Sequence, residues 1–437
     1  MKIKRLTALT ALLALVLTLL LSLGSCAGGS GGMPTKDELR ASIGSDCPEY
    51  TKVYGYLRDW GFKGFNSSKL DALEGLYARQ FYKALPSARV MAEAIANNFL
   101  DYFYDDIDLS SSTAVTDALI HCYVAETGDA YGVYRTADEY VDYNTDMSGA
   151  FVGIGISVQY VNDEILIISV YDDSPAARAD IREGDIIVKV NGESVDELGY
   201  ERAIDNVRGE AGTDVTVTVL RDGEEIDCVA TRAPITEISV SYELSEDLIG
   251  YIEITSFKSN TDEQFIEAIN YMEQNGARAL IFDLRSNGGG YLDTVINMID
   301  YLVPKGTAIV SFGSYAQTEY AKSEHAISMP VAVLTNQYTA SASELFVAAL
   351  RDYSSEQMQL LDCMAVGTTT FGKGVMQNTF SFTDRSAITL TVAYFNSPLG
   401  NNHNGVGLSP DFEVPPSETE DNQLARAYGE LLTKISN

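Results

Sequence analysis

Apolar residues recur along the chain with three different spacings, and the first covers residues 36–148. There the spacing is close to 3.6 residues, as in the run that follows Ser87, where apolar side chains return every three or four positions. Thr136 and Glu139 have the spacing of a capping box at the start of a further helix. We therefore predict a helical N-terminal region over residues 36–148.

The second spacing covers residues 149–233 and consists of short runs rich in β-branched residues. Turn-forming pairs such as Asn191-Gly192 and Asp222-Gly223 separate these runs. A single helix is expected over residues 200–207. The predicted strands are 151–158, 165–170, 186–190 and 215–220.

The third spacing begins near residue 236, where buried strands alternate with amphipathic helices. This alternation predicts an α/β layered domain over residues 236–416, followed by a C-terminal helical segment over 417–437. The predicted strands are 249–254, 279–284, 331–334 and 388–394. The predicted helices are 261–274, 292–302, 342–350 and 422–435, with a loop over 367–374.

Composition narrows the class of protein. Hydrophobic residues make up 46% of the 437 residues, which is enough for large cores and argues against global disorder. The formal net charge of -32 would repel phosphates, so we expect no nucleic-acid partner. Besides Cys26, four cysteines lie far apart with no C-x-x-C pair, which argues against a metal site: Cys47, Cys122, Cys228 and Cys363. One disulfide among them is an alternative that the sequence cannot assign, and buried free thiols are expected.

The first 35 residues have the features of an export signal. A basic start is followed by an apolar run over residues 6–23 and then by Gly24-Ser25-Cys26. Small residues before a cysteine resemble the bacterial lipobox, which implies removal of residues 1–25 and lipid on Cys26. Residues 26–35 would then be a flexible tether. The alternative is an uncleaved membrane helix. Either reading places the body of the protein outside the cytoplasm, attached to a membrane.

Three loops carry the candidate chemistry. A glycine-rich loop spans residues 283–290, Ser341 stands directly before a predicted helix, and Lys373 lies between two glycines. A serine nucleophile needs a base, and lysine can serve when its ammonium is deprotonated. Backbone N–H groups of glycines and of a helix N-terminus can stabilise an oxyanion. The simpler alternatives are that Ser341 caps a helix and that Lys373 is a solvated loop residue.

Arginine and histidine side chains could also take part in catalysis, but structural roles or surface positions are expected for them. Arg285 is expected to pair with an acid. His121 is expected to be structural, on an amphipathic helix. His325 and His403 are expected to be exposed in loops, so a Ser–His enzyme is disfavoured. A pocket walled by Phe371 and Val375 would desolvate Lys373 and lower its pKa, which has to fall from about 10.4 toward 7.

Further motifs precede these loops. Phe151-Val152-Gly153-Ile154-Gly155 resembles the carboxylate-binding loop of PDZ domains, and Ser174-Pro175-Ala176-Ala177 resembles a later PDZ motif. Gly128-Asp129-Ala130-Tyr131 precedes the PDZ-like segment, and residues 405–411 follow the lysine loop. In this order, the motifs over residues 90–416 resemble the C-terminal processing peptidases, also called tail-specific proteases.

The resemblance implies an α+β multidomain protein with an N-terminal helical region, a PDZ-like β-rich domain and a crotonase-like α/β peptidase core. It implies Ser341 as the nucleophile, Lys373 as the general base and Gln377 as the residue that orients the lysine. Ala342, with Gly289 or Gly290, would supply the oxyanion hole. The peptide-binding loop would comprise Phe151, Val152, Gly153, Ile154, Gly155 and Ile156.

The resulting hypothesis is an exported, lipid-anchored serine endopeptidase that needs no cofactor and no metal. Its substrates would be proteins or peptides with apolar C-termini, and it could form a homo-oligomer. The chief rival is an adaptor with the same fold and a dead site. A carbohydrate- or lipid-binding lipoprotein is the third possibility.

Overall fold

The computed structural model describes residues 33–313 and 317–436. Over these residues, no helix has both the length and the apolar character needed to cross a membrane. Residues 1–32 include Cys26 and the predicted signal segment, and they lie outside the described residues. The described residues divide into two compact units, of which the first holds residues 33–141 together with 311–313, 317 and 374–396. The second unit holds the remainder.

The helices, in chain order, are α1 (Lys36–Ser42), α2 (Val53–Asp59), α3 (Ser67–Gln80), α4 (Ala88–Tyr102), α5 (Ser112–Glu126), α6 (Ala137–Met147), α7 (Pro175–Arg178), α8 (Val195–Leu198), α9 (Tyr200–Val207), α10 (Thr261–Gln274), α11 (Leu292–Leu302), α12 (Ala342–Ser354) and α13 (Asn422–Ser436). The strands are β1 (Val133–Arg135), β2 (Ala150–Gly153), β3 (Ile156–Val161), β4 (Glu164–Val170), β5 (Ile186–Val190), β6 (Glu193–Ser194), β7 (Asp214–Arg221), β8 (Glu224–Thr231), β9 (Ala233–Thr236), β10 (Val240–Leu244), β11 (Ile249–Ile254), β12 (Ala279–Asp283), β13 (Ala308–Phe312), β14 (Gln317–Tyr320), β15 (Val331–Thr335), β16 (Cys363–Gly367), β17 (Val375–Ser381), β18 (Ala387–Asn396) and β19 (Phe412–Glu413).

The first unit packs helices α1 to α5 around an aromatic core and against the hairpin of β17 and β18. The capping box predicted at Thr136 is confirmed, because the Thr136 N–H donates to the Glu139 carboxylate at 2.8 Å. The motif residue Asp129 is buried and accepts from both the backbone N–H and the hydroxyl of Thr391, at 2.8 and 2.7 Å. The predicted helical region therefore exists, with one short strand, β1, that the helical pattern missed.

The PDZ-like segment of the second unit is a sheet with the strand order β3-β4-β5-β7-β8, and β2 pairs separately with β9. The prediction of a single strand over 151–158 is wrong, because residues 154–155 interrupt the extended conformation and separate β2 from β3. Gly155 adopts a φ of +79° there, and a methyl group at this position would lie 2.5 Å from Ser174 Cβ. The break leaves β3 at the edge of its sheet.

The rest of the second unit is a three-layered α/β domain. Its sheet has the order β10-β11-β12-β15-β16-β19, and every pair after β10–β11 is parallel. One face packs against α13 through Ala279 and Ile281, and the other face packs Phe282 against Phe265 and Phe346 of α10 and α12. The bounds predicted for β11, α9, α10 and α11 are confirmed. The predicted helix 342–350 continues to Ser354.

Candidate active site

The candidate site lies in the second unit, where the loops after three neighbouring parallel strands meet. β12, β15 and β16 end at Asp283, Thr335 and Gly367, so the glycine loop, the serine segment and the lysine loop all leave the sheet at its carboxyl edge. Parallel sheets place their ligand sites at this edge. The sequence order of the three loops thus becomes a spatial cluster.

Ser341 stands at the N-cap position of α12 with a strained backbone. Its φ of +60° and ψ of -118° lie in a region that residues with a Cβ rarely adopt. Its side chain is half-buried, whereas Ala342 behind it is buried. Strain of this kind persists only where the surroundings enforce it, and it is concentrated at functional sites.

Glu344 provides that enforcement. Its carboxylate is fully buried, and its Oε2 accepts the backbone N–H of Ser341 at 2.9 Å and that of Lys373 at 2.7 Å. The Oε1 atom accepts the Gly372 N–H at 2.7 Å and the Thr370 hydroxyl at 2.5 Å. One side chain therefore fixes the backbones of the candidate nucleophile and the candidate base together.

The glycine loop lies directly against the serine. A methyl group added at Gly289 would lie 2.9 Å from both the Ala340 carbonyl oxygen and Ser341 Cβ, and 3.1 Å from the Ala342 nitrogen. Buried Asn287 holds this loop in place, because its carbonyl accepts the Ala340 N–H at 3.0 Å. In this conformation the Gly289 N–H donates to Asn287 Oδ1 at 2.9 Å.

Gly290, the other predicted oxyanion residue of this loop, forms a bridge with Phe257. The Tyr291 N–H beyond it donates to the Phe257 carbonyl at 2.8 Å, and a methyl group at Gly290 would lie only 2.1 Å from that carbonyl oxygen. The structure therefore brings Ser341, Ala342, Gly289 and the Lys373 backbone together.

The predicted hydrophobic wall around the lysine is corrected in part. Phe371 is 58% exposed, because its ring projects into solvent, so it does not desolvate Lys373. Lys373 itself is half-buried, and Val375 is buried. Gln377 belongs to the first unit, where its amide donates to the Val375 carbonyl at 3.2 Å beside an irregularity in the β17–β18 register. Its role toward the lysine stays a prediction.

The structural role predicted for Arg285 is confirmed, whereas the predicted exposure of His403 is not. Arg285 is structural, as predicted, since it pairs with Asp283 at 2.6 Å and with Asp421 at 2.8 Å. The prediction that His403 is exposed is wrong: only 4% of it is accessible, because its loop folds back against the lysine loop. His325 is half-buried against Tyr301, on which its ring stacks.

The predicted peptide loop, residues 151–156, comprises the end of β2, the connection over residues 154–155 and the first residue of β3. Gly153 and Ile154 are buried, and the Ile154 carbonyl accepts the Ala176 N–H at 2.8 Å. The later PDZ motif thus packs beneath the loop, and Ser174 caps α7 by accepting the Ala177 N–H at 3.1 Å. The four cysteines within the described residues are free thiols, as expected.

Sequence reasoning missed three residues that organise this site: Glu344, Asn287 and His403. The first carried a signal, because an acid three positions after a serine is the capping-box spacing. Asn287 lay inside the glycine loop, where an amide can bond to backbone groups on two sides. His403 carried no such signal, since its burial depends on a loop contact with residues more than thirty positions away.

Comparisons with known proteins agree with this architecture. A family model described as peptidase family S41 matches residues 248–414, and one described as PDZ domain matches residues 152–229. A CtpA-like serine protease of Staphylococcus aureus is 35% identical over 309 residues, which cover 70% of this chain and 61% of that protein. A CtpA-like serine protease of Staphylococcus epidermidis is 35% identical over 325 residues, which cover 72% of this chain and 65% of that protein. The chain thus spans less than two thirds of the length of these relatives.

A solved S41 protease structure from Bacteroides fragilis has a similar fold. Its TM-score is 0.50 at 17% identity, with 84% of this chain and 97% of that chain covered. This likeness supports the multidomain α+β architecture.

Proposed function

Because its residues 248–414 belong to peptidase family S41 and residues 152–229 form a PDZ domain, we propose that this chain is a serine endopeptidase that cuts proteins near their C-termini through a Ser341–Lys373 dyad. The observation that carries the proposal is the shared carboxylate of Glu344, which holds the Ser341 and Lys373 backbones on one oxygen atom. The strained backbone of Ser341 costs folding free energy, and such strain is concentrated at functional sites, which supports a catalytic use of this residue.

The reaction begins when Ser341 Oγ attacks the substrate carbonyl carbon and its proton passes to the neutral amine of Lys373. The tetrahedral intermediate collapses as the lysine ammonium gives the proton to the leaving amine. A water molecule, deprotonated by the same lysine, then attacks the acyl-enzyme ester and releases the second product with Ser341 restored. Gln377 is assigned to orient the lysine.

The lysine needs a depressed pKa for this work. Moving it from about 10.4 to near 7 requires roughly 4–5 kcal/mol of desolvation or positive neighbours. Exposed Phe371 does not supply this in the free protein, so we assign the desolvation to the bound substrate, which covers the half-buried Lys373. Activity would then depend on substrates long enough to cover the site.

The oxyanion hole would use the N-terminus of α12. The Ala342 N–H lies there, where the helix dipole favours a negative charge. Gly289 is the partner on the facing loop, since its Cα lies against Ser341. Its N–H donates to Asn287 Oδ1 in the free protein, so substrate binding has to exchange that bond for one to the oxyanion.

The PDZ domain would bind the substrate tail. The backbone N–H groups of residues 151–156 would bind the terminal carboxylate, and the tail would add as a strand along β3. That strand is the edge of its sheet, with β4 as its neighbour on the other side. Helix α9 would form the other wall, and buried Ile154 supports the loop.

Export and anchoring through Cys26 complete the proposal. Their test is separate: mass spectrometry of the membrane-extracted protein should find a diacylglyceryl-modified cysteine at the new N-terminus. Substitution of Cys26 by alanine should abolish that species. A full-length unmodified N-terminus would favour the uncleaved helix.

The main experiment uses the protein without residues 1–32. Wild type and Ser341→Ala are compared on an unfolded protein with an apolar tail, whose C-terminus is free or amidated. The proposal expects cutting by wild type, none by the folded serine variant, and slower cutting after amidation. Equal cutting by both proteins would refute Ser341 as nucleophile. Binding of the free tail without any cleavage would favour the adaptor function instead.

A further inference from the structure

The motif Gly128-Asp129-Ala130-Tyr131 has no part in the proposed reaction, yet its carboxylate is buried. Asp129 is 8% exposed and lies in the first unit, between α5 and β1. Its Oδ2 accepts the backbone N–H of Thr391 at 2.8 Å, and its Oδ1 accepts the Thr391 hydroxyl at 2.7 Å. Burying a carboxylate is costly, so one that directs both oxygens at a single residue indicates that this residue has to be held.

The turn around the motif fixes this carboxylate. The Asp129 N–H donates to the Thr127 hydroxyl at 3.1 Å, and the Tyr131 N–H donates to Asp129 Oδ1 at 3.2 Å. A methyl group at Gly132 would lie 3.1 Å from Asp129 Oδ2, so a side chain there would press on the carboxylate. The carboxylate is therefore held by its own turn as well as by β18.

Thr391 is fully buried in β18, close to the point where β1 stops pairing with that strand. The β1–β18 register ends at Val133 opposite Thr389, two residues before Thr391. There the Asp129 carboxylate accepts the Thr391 N–H, and the Thr391 carbonyl accepts the Tyr82 N–H at 3.3 Å. The N–H, the carbonyl and the hydroxyl of Thr391 thus all form bonds outside β17.

On its other side, β18 meets β17 with an irregular register. Met376 pairs with Ala393. The next residue, Gln377, pairs with Thr391, so Val392 of β18 is extra. An extra residue of this kind is a β-bulge, which turns neighbouring side chains and often occurs next to active sites. Since opposed residues that share no backbone hydrogen bonds have their side chains closest together, Thr391 is the near neighbour of Gln377.

The bulge determines the direction of the Gln377 side chain. This side chain is half-buried, and its amide donates to the Val375 carbonyl at 3.2 Å. If β18 moved along β17 by one residue, a residue other than Thr391 would lie opposite Gln377, with its side chain on the other face of the strand. The position of Thr391 therefore controls how the Gln377 amide is presented.

We propose that Asp129 is a positioning residue for Gln377, which acts through Thr391 and the bulge between β17 and β18. The inference rests on the proposed function, in which Gln377 orients Lys373, while its structural part depends only on the hydrogen bonds of Thr391. With the carboxylate in place, the Thr391 N–H has its acceptor and the bulge stays at Val392. Without it, the buried N–H has no acceptor, and β18 moves against β17 to find one.

Four variants test the contact between Asp129 and Thr391. Asp129→Asn keeps it, because the amide oxygen accepts the Thr391 N–H while the amide nitrogen donates to the hydroxyl oxygen. Asp129→Leu removes both acceptors, and Thr391→Val removes only the hydroxyl. Thr116→Val is the control, since Thr116 is a buried threonine of α5 in the same unit. Its hydroxyl accepts the Asn66 N–H at 2.8 Å and donates to the Ser112 carbonyl at 2.6 Å.

Kinetics on a peptide with an apolar C-terminal tail give the first readout. Asp129→Leu should lower kcat at least about tenfold and Thr391→Val about threefold, with KM within about twofold of wild type. Asp129→Asn should keep kcat within about twofold, because both of its bonds to Thr391 remain. Thr116→Val should lower Tm about as much as Thr391→Val and leave kcat unchanged, which separates positioning from loss of stability.

A double-mutant cycle with Gln377 shows through which residue Asp129 acts. In the Gln377→Ala background, Asp129→Leu should lower kcat by no more than about twofold, because the side chain that it positions is already gone. Thr391→Val takes its place in the cycle if Asp129→Leu does not fold. The same factor in both backgrounds, or wild-type kcat in the folded variants, would overturn the proposal.

A measurement without catalysis distinguishes failure of this inference from failure of the proposed function. Hydrogen exchange of residues 375–381, followed by mass spectrometry, should be at least about threefold faster in Thr391→Val, and about tenfold faster in folded Asp129→Leu, than in Thr116→Val. If wild type shows no peptidase activity but these differences appear, the effect of Asp129 on β17 stands and the proposed function fails. Equal exchange in all three variants would refute the positioning role.

Discussion

Replacing Glu344 by glutamine should disable the site. The substitution keeps the volume and replaces one carboxylate oxygen by an NH₂ group. Each oxygen accepts two bonds, Oε2 from the Ser341 and Lys373 N–H groups and Oε1 from the Gly372 N–H and the Thr370 hydroxyl. Whichever way the amide turns, it places donors against donors at two contacts.

The magnitude follows from those lost bonds. A hydrogen bond to a charged group contributes about 1.5–3 kcal/mol, so losing two removes roughly 3–6 kcal/mol from the catalytic loops. The group is fully buried, so no water restores them. The Ser341 backbone, strained at a φ of +60°, would relax, and misplacement by about 1 Å can cost roughly 100-fold in rate. We therefore expect kcat to fall at least 100-fold.

The assay measures kcat and KM on a tailed peptide at 20 °C, with thermal unfolding recorded for each protein. Glu356→Gln is the control, since that glutamate is exposed just beyond α12. We expect the control to match wild type and Glu344→Gln to have a lower Tm and a much lower kcat. A folded Glu344→Gln protein with kcat within threefold of wild type would show that these hydrogen bonds do not hold the catalytic loops in place.

Three further predictions follow from contacts at single positions. Gly289→Ala should abolish peptide cleavage, because its methyl group would lie 2.9 Å from the serine segment at a φ of +104°, whereas Gly288→Ala, in open space, should keep at least half the wild-type rate. Lys258→Met should lower Tm by several degrees, because this lysine is 8% exposed and its ammonium pairs with Glu237 at 2.6 Å and Asp146 at 2.9 Å, on either side of the PDZ domain in the chain. Lys305→Met, whose ion pair is exposed, should change Tm by less than one degree, and equal shifts for the two variants would contradict the prediction. Burial raises the pKa of Glu74 to about 7, so its ionisation opposes folding as the pH rises from 4.5 through 7. Glu74→Gln should therefore gain stability over wild type in urea unfolding at pH 8, by up to about 3 kcal/mol, and lose that gain near pH 4.5; a gain independent of pH would contradict the assignment.

The sequence predicted most of the framework because its elements depend on local pattern. The bounds of β11, α10 and α11 follow from strictly periodic apolar positions and are confirmed to the residue. The break before β3 was missed because its cause, the approach of Ser174 to Gly155, is a tertiary contact.

The candidate site likewise has a part that the sequence predicted and a part that depends on tertiary contacts. Ser341 and Lys373 could be chosen from motifs, but nothing in their spacing of 32 positions required their backbones to share one oxygen. That arrangement depends on Glu344, whose carboxylate is buried only after three strand ends meet at one edge of the sheet. The exposure of Phe371 and the burial of His403 likewise depend on how the loops pack, which an apolar or polar residue type does not determine.

The most direct test of the Ser–Lys chemistry is chemical rescue of Lys373→Ala. Cleavage of the tailed peptide is measured at pH 8 with increasing ethylamine, in parallel with Ser341→Ala. We predict that the lysine variant is at least about 1,000-fold slower than wild type and regains rate in proportion to the free amine, while the serine variant does not respond. A lysine variant that cuts within tenfold of wild type without amine would contradict the dyad.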